Sequence, residues 1–148
     1  MSFANTNDDL RGTRPTVFPA GAEVVAVRYA VDLTAADLDA GDVGAVGILP
    51  AGCVPVSLVI DADDLDSHAT PTLVSAVGLL NAAGTDLATV FAAGLTVGQS
   101  AGVTTLSSLA LQRLSATQAD RLLGLKVTTG AATKAAGQVG FTLLYKAV

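Results

Sequence analysis

"EVVAVRYAVDLT", residues 23–34, alternates without a break. Val25, Val27, Tyr29, Val31 and Leu33 fall on one side of an extended chain, with Val24, Ala26, Arg28, Ala30 and Asp32 on the other, because successive side chains of a strand point to opposite faces. The first side is apolar, which predicts a strand with one face in a core. The stretches beside it read the same way. "VGAVGIL" (43–49) gives a second strand, "PAGC" turns the chain on Pro50 and Gly52, and "CVPVSLVI" (53–60) gives a third. Pro55 has no N–H for a ladder and is expected at a sheet edge or a bulge.

Further along, "TLVSAVGLL" (72–80), "LATVFAAGLTVG" (87–98), "VTTLSSLALQRL" (103–114), "RLLGLKVTT" (121–129) and "QVGFTLLYKAV" (138–148) complete the strand candidates. The last two are expected to pair as a hairpin across "GAATKAAG" (130–137), with Val139, Phe141, Leu143 and Tyr145 on one face of the final strand. One glutamate, Glu23, and three lysines leave the chain without the usual material of solvent-facing helices. In "TAADLDA" (34–40), Thr34 is placed to cap a single helical turn that Gly41 stops, and "SATQADR" (115–121) is ambiguous. About eight short strands separated by Gly, Pro and Asn turns predict an all-β, single-domain antiparallel β-sandwich or jelly-roll/barrel-like fold. The β domain is expected over residues 23–148.

Residues 1–22 have no basic start and no apolar run of signal-peptide length, so they read as an extended N-terminal arm rather than a targeting segment. Residues 87–112 carry no charge, and Gly94, Gly98 and Gly102 repeat at the spacing of a close-packed helix dimer. Gln99 and seven hydroxyl residues interrupt that stretch, so it never offers ~18 predominantly apolar residues in succession, and no membrane is expected.

At 148 residues the chain fits one domain that buries about 68–70% of its unfolded surface. Cys53 is its one cysteine and forms no intramolecular disulfide, so the core rests on apolar packing. Thirteen acidic residues against eight basic ones argue against nucleic acid as a partner. Residues 32–66 hold eight aspartates and no Lys or Arg, whereas residues 113–148 hold five basic residues and one aspartate. Such segregation suits head-to-tail contact between copies or docking on a charged partner, or simply supplies separate solvated loops. Only 14% of residues are charged, below the roughly 25% of average domains, which favours a protein that shares apolar surface with neighbours.

Four aspartates crowd "VIDADDLDS" (59–67): Asp61, Asp63, Asp64 and Asp66. Hard cations want several oxygen ligands, so a loose calcium loop is one reading. An EF-hand is excluded, because Leu65 stands at the third acid position and no glutamate follows. The other reading is a solvated turn, with Leu65 anchoring it by burial and the carboxylates facing water. His68 and Cys53 are single residues of their type. Nucleophilic catalysis would need a base held against the thiol, and the spacing favours a buried Cys53 and an exposed loop His68. Neither a G-x-S-x-G elbow nor a phosphate loop occurs. No enzyme and no cofactor is expected.

Several phrases carry a resemblance: "LTAADLDAGDV" (33–43), "LPAGCVPVSLVIDADDLDS" (49–67), "TPTLVSAVGLLN" (70–81), "AAGLTVGQSAGV" (92–103) and "GQVGFTLLYKA" (137–147). Together the chain resembles the small structural proteins of tailed-bacteriophage virions, some of which decorate or cement the capsid. The resemblance covers residues 24–147. It implies a β-sandwich or barrel-like domain that oligomerises, as a homotrimer where it matches local three-fold positions. Such a domain binds the capsid exterior and holds neighbouring major capsid protein subunits together. No site residues carry over from it. Arg11, Arg14 and Pro15 of the arm are expected to lie across a neighbour. Two alternatives stay open: another virion component, such as a head–tail connector or tail-fibre base, and a calcium-dependent glycan-binding module.

Overall fold

The computed structural model describes residues 3–148, so Met1 and Ser2 of the expected arm lie outside the described residues. Eight strands run in chain order: β1 Val24–Leu33, β2 Val43–Leu49, β3 Cys53–Ala62, β4 Val74–Leu80, β5 Leu87–Leu95, β6 Gly102–Leu106, β7 Arg121–Thr129 and β8 Gly137–Ala147. They form two antiparallel four-stranded sheets, in the orders β1-β8-β3-β6 and β2-β7-β4-β5. Only β4 and β5 are chain neighbours within one sheet; every other connection crosses to the opposite sheet. This is the double Greek-key wiring of a jelly roll, and it selects among the sandwich and barrel forms that strand spacing alone allows.

Alternation sets which faces meet. Tyr29, Val31 and Leu33 of β1 are buried as the opening stretch predicts, against Leu58 and Ile60 of β3 and Val139, Phe141, Leu143 and Tyr145 of β8. Val77 and Leu79 of β4 and Leu123, Leu125 and Val127 of β7 close the core from the other sheet. Each such side chain taken fully from water is worth about 1.5–3 kcal/mol. Glycines make room where rings must enter. Gly47 of β2 pairs with the buried Leu123, and a Cβ there would lie 2.4 Å from the Tyr29 ring, whose hydroxyl donates to Ile48 O at 2.9 Å.

The expected terminal hairpin does not form. β7 lies between β2 and β4, and β8 lies between β1 and β3 in the facing sheet. Residues 130–136 therefore cross the roughly 10 Å between sheets instead of turning back within one. Each strand has its own apolar face, Leu123, Leu125 and Val127 on one and Val139, Phe141, Leu143 and Tyr145 on the other. Stacking those faces buries both, whereas hairpin pairing would leave each in need of another cover.

The stretch 103–114 is also corrected. β6 ends at Leu106, and a short helical segment, Leu109–Gln112, follows. The Ser108 side chain accepts from Leu111 N at 3.2 Å, an N-cap that draws the chain into a helical turn. Leu111 is buried, and Gln112 Nε2 donates to Val56 O at 3.1 Å. There β3 shifts register against β8 between Pro55 and Ser57 and has no β6 partner. Pro55 thus sits at a bulge, as its missing N–H requires. Thr34 likewise precedes one 3-10 turn, Ala35–Asp37, with Asp37 Oδ2 accepting from Thr34 N at 2.8 Å.

Candidate functional site

The four crowded aspartates sit where β3 leaves its sheet for β4, and each has a separate occupation. Asp61 takes a bidentate ion pair from Arg28, Nη2 at 2.6 Å and Nε at 3.1 Å. The guanidinium reaches from β1 to β3 over Gly140 of the intervening β8, where a Cβ would lie 2.4 Å from Nη2. Asp63 Oδ2 accepts from Gln138 N at 2.7 Å, and Asp64 Oδ1 from Asp66 N at 3.2 Å. Leu65 is buried as the turn reading requires.

Asp66 departs from that reading, because its carboxylate does not face water; the residue is 1% exposed. Oδ2 accepts from the backbone N–H groups of Thr72, Leu73 and Ala132 at 2.7, 3.1 and 2.9 Å. Oδ1 accepts from Thr133 at 2.9 Å and His68 at 3.4 Å. Burial by itself pushes this carboxyl up. The N–H groups of Thr133, Ala132, Thr72 and Leu73 outweigh it and hold the carboxyl well below the usual carboxylate range. One side chain so ties the β3–β4 crossing to the β7–β8 crossing. Among the described residues no three His, Cys, Asp or Glu side chains group as metal ligands.

The N-terminal segment keeps most of its side chains in solvent but is bonded to the domain. Phe3 is buried over Gly44 of β2, where a Cβ would lie 2.4 Å from its ring. Asn7 Nδ2 donates to Ala30 O of β1 at 3.0 Å and Val46 O of β2 at 2.8 Å, bridging one edge of each sheet. Its Oδ1 caps α1, Asp8–Arg11, by accepting from Leu10 N at 2.9 Å, and Gly12 ends the turn at φ 76°. In the pattern N-D-D-L-R-G the asparagine is the cap and the glycine the stop, a local signal that period-two alternation does not contain.

Arg11, Arg14 and Pro15 are exposed. Arg11 lies 3.9 Å from Asp8 and Arg14 3.3 Å from Asp9. Together with Arg28 they line a polar cleft of about 380 Å³ between α1 and β1. Beyond it the chain continues extended, and Tyr145 Oη, from the core end of β8, donates to Val17 O.

Cys53 opens β3, and His68 lies in the loop beyond its other end, so about 30 Å of strand stands between them. The Cys53 thiol is buried, and burial, then Asp120, pushes it up. His68 is exposed, its Nδ1 accepting from Thr70 N at 2.9 Å. No helix among the described residues is long and apolar enough to cross a membrane.

Fold and sites define a jelly-roll protein whose crowded aspartates are taken up within the chain, Asp61 by Arg28 and Asp63, Asp64 and Asp66 by backbone N–H groups. A chain in the capsid of Ralstonia phage GP4 is 33% identical over 97% of both chains, with a TM-score of 0.81. One in the cyanophage Pam1 capsid asymmetric unit is 25% identical, over 91% of this chain and 92% of that one, with a TM-score of 0.66. One in the acid-stable capsid of Helicobacter pylori bacteriophage KHP30, 16% identical over 83% and 90% with a TM-score of 0.52, shares the fold alone. No protein-family model and no curated protein matches. The chain belongs to the family of bacteriophage capsid proteins, and its role is structural, in the phage virion.

Proposed function

We propose that this chain decorates the capsid exterior, where copies of it, associated as a homotrimer, bridge neighbouring major capsid protein subunits and stabilise the shell. The observation that carries the reading is its electrostatic surface. The chain bears a net charge of −5, and five of its eight basic side chains, Arg11, Arg14, Arg28, Lys126 and Lys134, are engaged with aspartates. Such a surface offers no basic footprint to packaged nucleic acid, so the outer face is where it is tolerated. Stabilisation follows from mass action. A protein that binds assembled subunits better than free ones shifts the equilibrium toward the shell, and several weak contacts from one oligomer add through multivalency. Arg11, at the end of α1, and Arg14 and Pro15 just beyond it are the proposed contacts of the N-terminal segment.

Cryo-electron microscopy of intact heads tests this. Jelly-roll density on the outer surface, spanning adjacent capsid subunits, is the expected result. Density at the tail vertex, or inside the shell, would overturn it. Heads lacking the protein are expected to release DNA at a lower temperature than complete heads.

A further inference from the structure

Residues 87–112 carry no charge, and the fold gathers that whole stretch on one side of the sandwich. β5 and β6 are the outer strands of the two sheets there, and the helical segment Leu109–Gln112 packs against β3 and β5 where β6 has ended. On the opposite side, where β1 and β2 are outermost, Asn7 spans the two sheets and Phe3 lies over Gly44. Among the described residues neither β5 nor β6 has a second strand partner. β5 runs for nine residues without a lysine or a proline, the residues that usually blunt an open edge. Val90, Val103 and Leu109 on this side are 45%, 69% and 64% exposed. The cleft of about 380 Å³ between the end of β5 and the start of β6 has no charged residue in its walls.

We infer that this side is the contact between copies, with β5 of one copy set against β6 of the next. The inference deepens the decoration reading and rests on its homotrimer. Charge selects a second copy as the occupant. Each copy brings the same net charge of −5, and like charges set opposite one another repel, so copies meet with least repulsion where charge is absent. A partner of another sequence needs no such face, because its cations can be set against aspartates. Depletion of charge is also the compositional mark of an interface core. Geometry sets the number of neighbours. Phe91 and Leu106 are buried, so alternation puts Val90 and Val103 on the outer faces of their two sheets. The two valines are also level. Ala30, Gly140, Asp61 and Val103 form one row across the first sheet, and Ala45, Gly124, Gly78 and Val90 one row across the second; Asn7 ties Ala30 to Val46 between the rows. Covering both valines takes one neighbour on each face, and a head-to-tail contact of this kind closes a ring. Three-fold closure sets Val90 of one copy opposite Val103 of the next, whereas a two-fold contact would set a valine against itself.

Native mass in solution and disulfide cross-linking test this. Wild type is expected at three times the 14.7 kDa of one chain. Val90→Glu with Val103→Glu is expected to raise the concentration of half-assembly by roughly a hundredfold or more. Val24→Glu, at a valine of β1 that is 50% exposed, is expected to leave it unchanged. All of these replaced side chains are exposed, so far-UV circular dichroism is expected to match wild type. On oxidation, Val90→Cys with Val103→Cys is expected to run as a covalent trimer and either substitution alone as a single chain; Cys53 is buried and takes no part. A wild-type trimer that the two glutamates do not weaken and the paired cysteines do not cross-link overturns this face and leaves the homotrimer standing. A two-copy product from Val90→Cys alone overturns the three-fold arrangement. A single-chain mass for wild type overturns the homotrimer and this face with it, and loss of attachment to purified heads in the glutamate variant would then assign the side to a capsid subunit.

Discussion

Asp66 and Ala132 are 66 positions apart, yet the Ala132 N–H donates to the Asp66 carboxylate at 2.9 Å. That bond, with those from Thr72, Leu73 and Thr133, fastens two sheet-to-sheet crossings at one buried point. A turn with four acids reads as a ligand site or a solvated loop, and here one of the four is a structural staple.

Truncating the staple leaves buried N–H groups without acceptors, each costing about 1–3 kcal/mol less whatever water can reach. Asp66→Ala is expected to lose roughly 3 kcal/mol of stability, a fall in melting temperature of roughly 6–12 °C. Asp66→Asn, which keeps one acceptor oxygen, is expected to lose less. Urea unfolding of the three proteins measures this; equal midpoints would show that the staple contributes nothing.

Acidification addresses the same group. The Asp66 carboxyl titrates below its unfolded value in the folded protein, so folding favours the ionised form. Its stabilisation is complete above about pH 4, the unfolded range, and is lost as the pH falls through the depressed folded value. The stability difference between wild type and Asp66→Asn is therefore expected to hold constant from pH 7 to 5 and shrink toward pH 2. A difference that widens on acidification contradicts the assignment.

Calcium is expected to have no effect on melting. Asp61 is paired with Arg28, Asp63 accepts from Gln138 and Asp66 is saturated by backbone donors, so recruiting them as ligands means breaking those bonds. Calorimetry with millimolar calcium, and again with chelator, is expected to give coincident curves. A rise of several degrees with calcium would reassign the loop as a cation site.

Two glycines separate side-chain crowding from backbone crowding. A Cβ at Gly140 would meet the ends of Arg28 and Asp61, whereas one at Gly78 would lie 1.8 Å from Thr89 O in the β4–β5 ladder. The Arg28–Asp61 pair is partly exposed and can rotate away, so Gly140→Ala is expected to cost under about 1 kcal/mol. The β5 backbone has no such freedom, so Gly78→Ala is expected to cost about 3 kcal/mol or more. Chemical denaturation ranks them; the reverse order would refute the explanation.

Period-two alternation in β1 and β8, the missing Pro55 N–H and the Thr34 turn were all readable along the chain, because each depends on neighbours a few residues away. The all-β class and the apolar faces of β1 and β8 are settled at that range. Partnership is not. β7 and β8 follow one another across a short loop and still join different sheets, because hydrogen-bond ladders and stacked faces are chosen by proximity in space. The same holds for Asp66, whose surroundings come from residues 72–73 and 132–133, and for Phe3, whose burial over Gly44 no local pattern announces. Amino-acid order determined what each segment is; only the tertiary structure decided what each segment touches, since burial and hydrogen bonding across the sandwich exist only once distant segments share one interior.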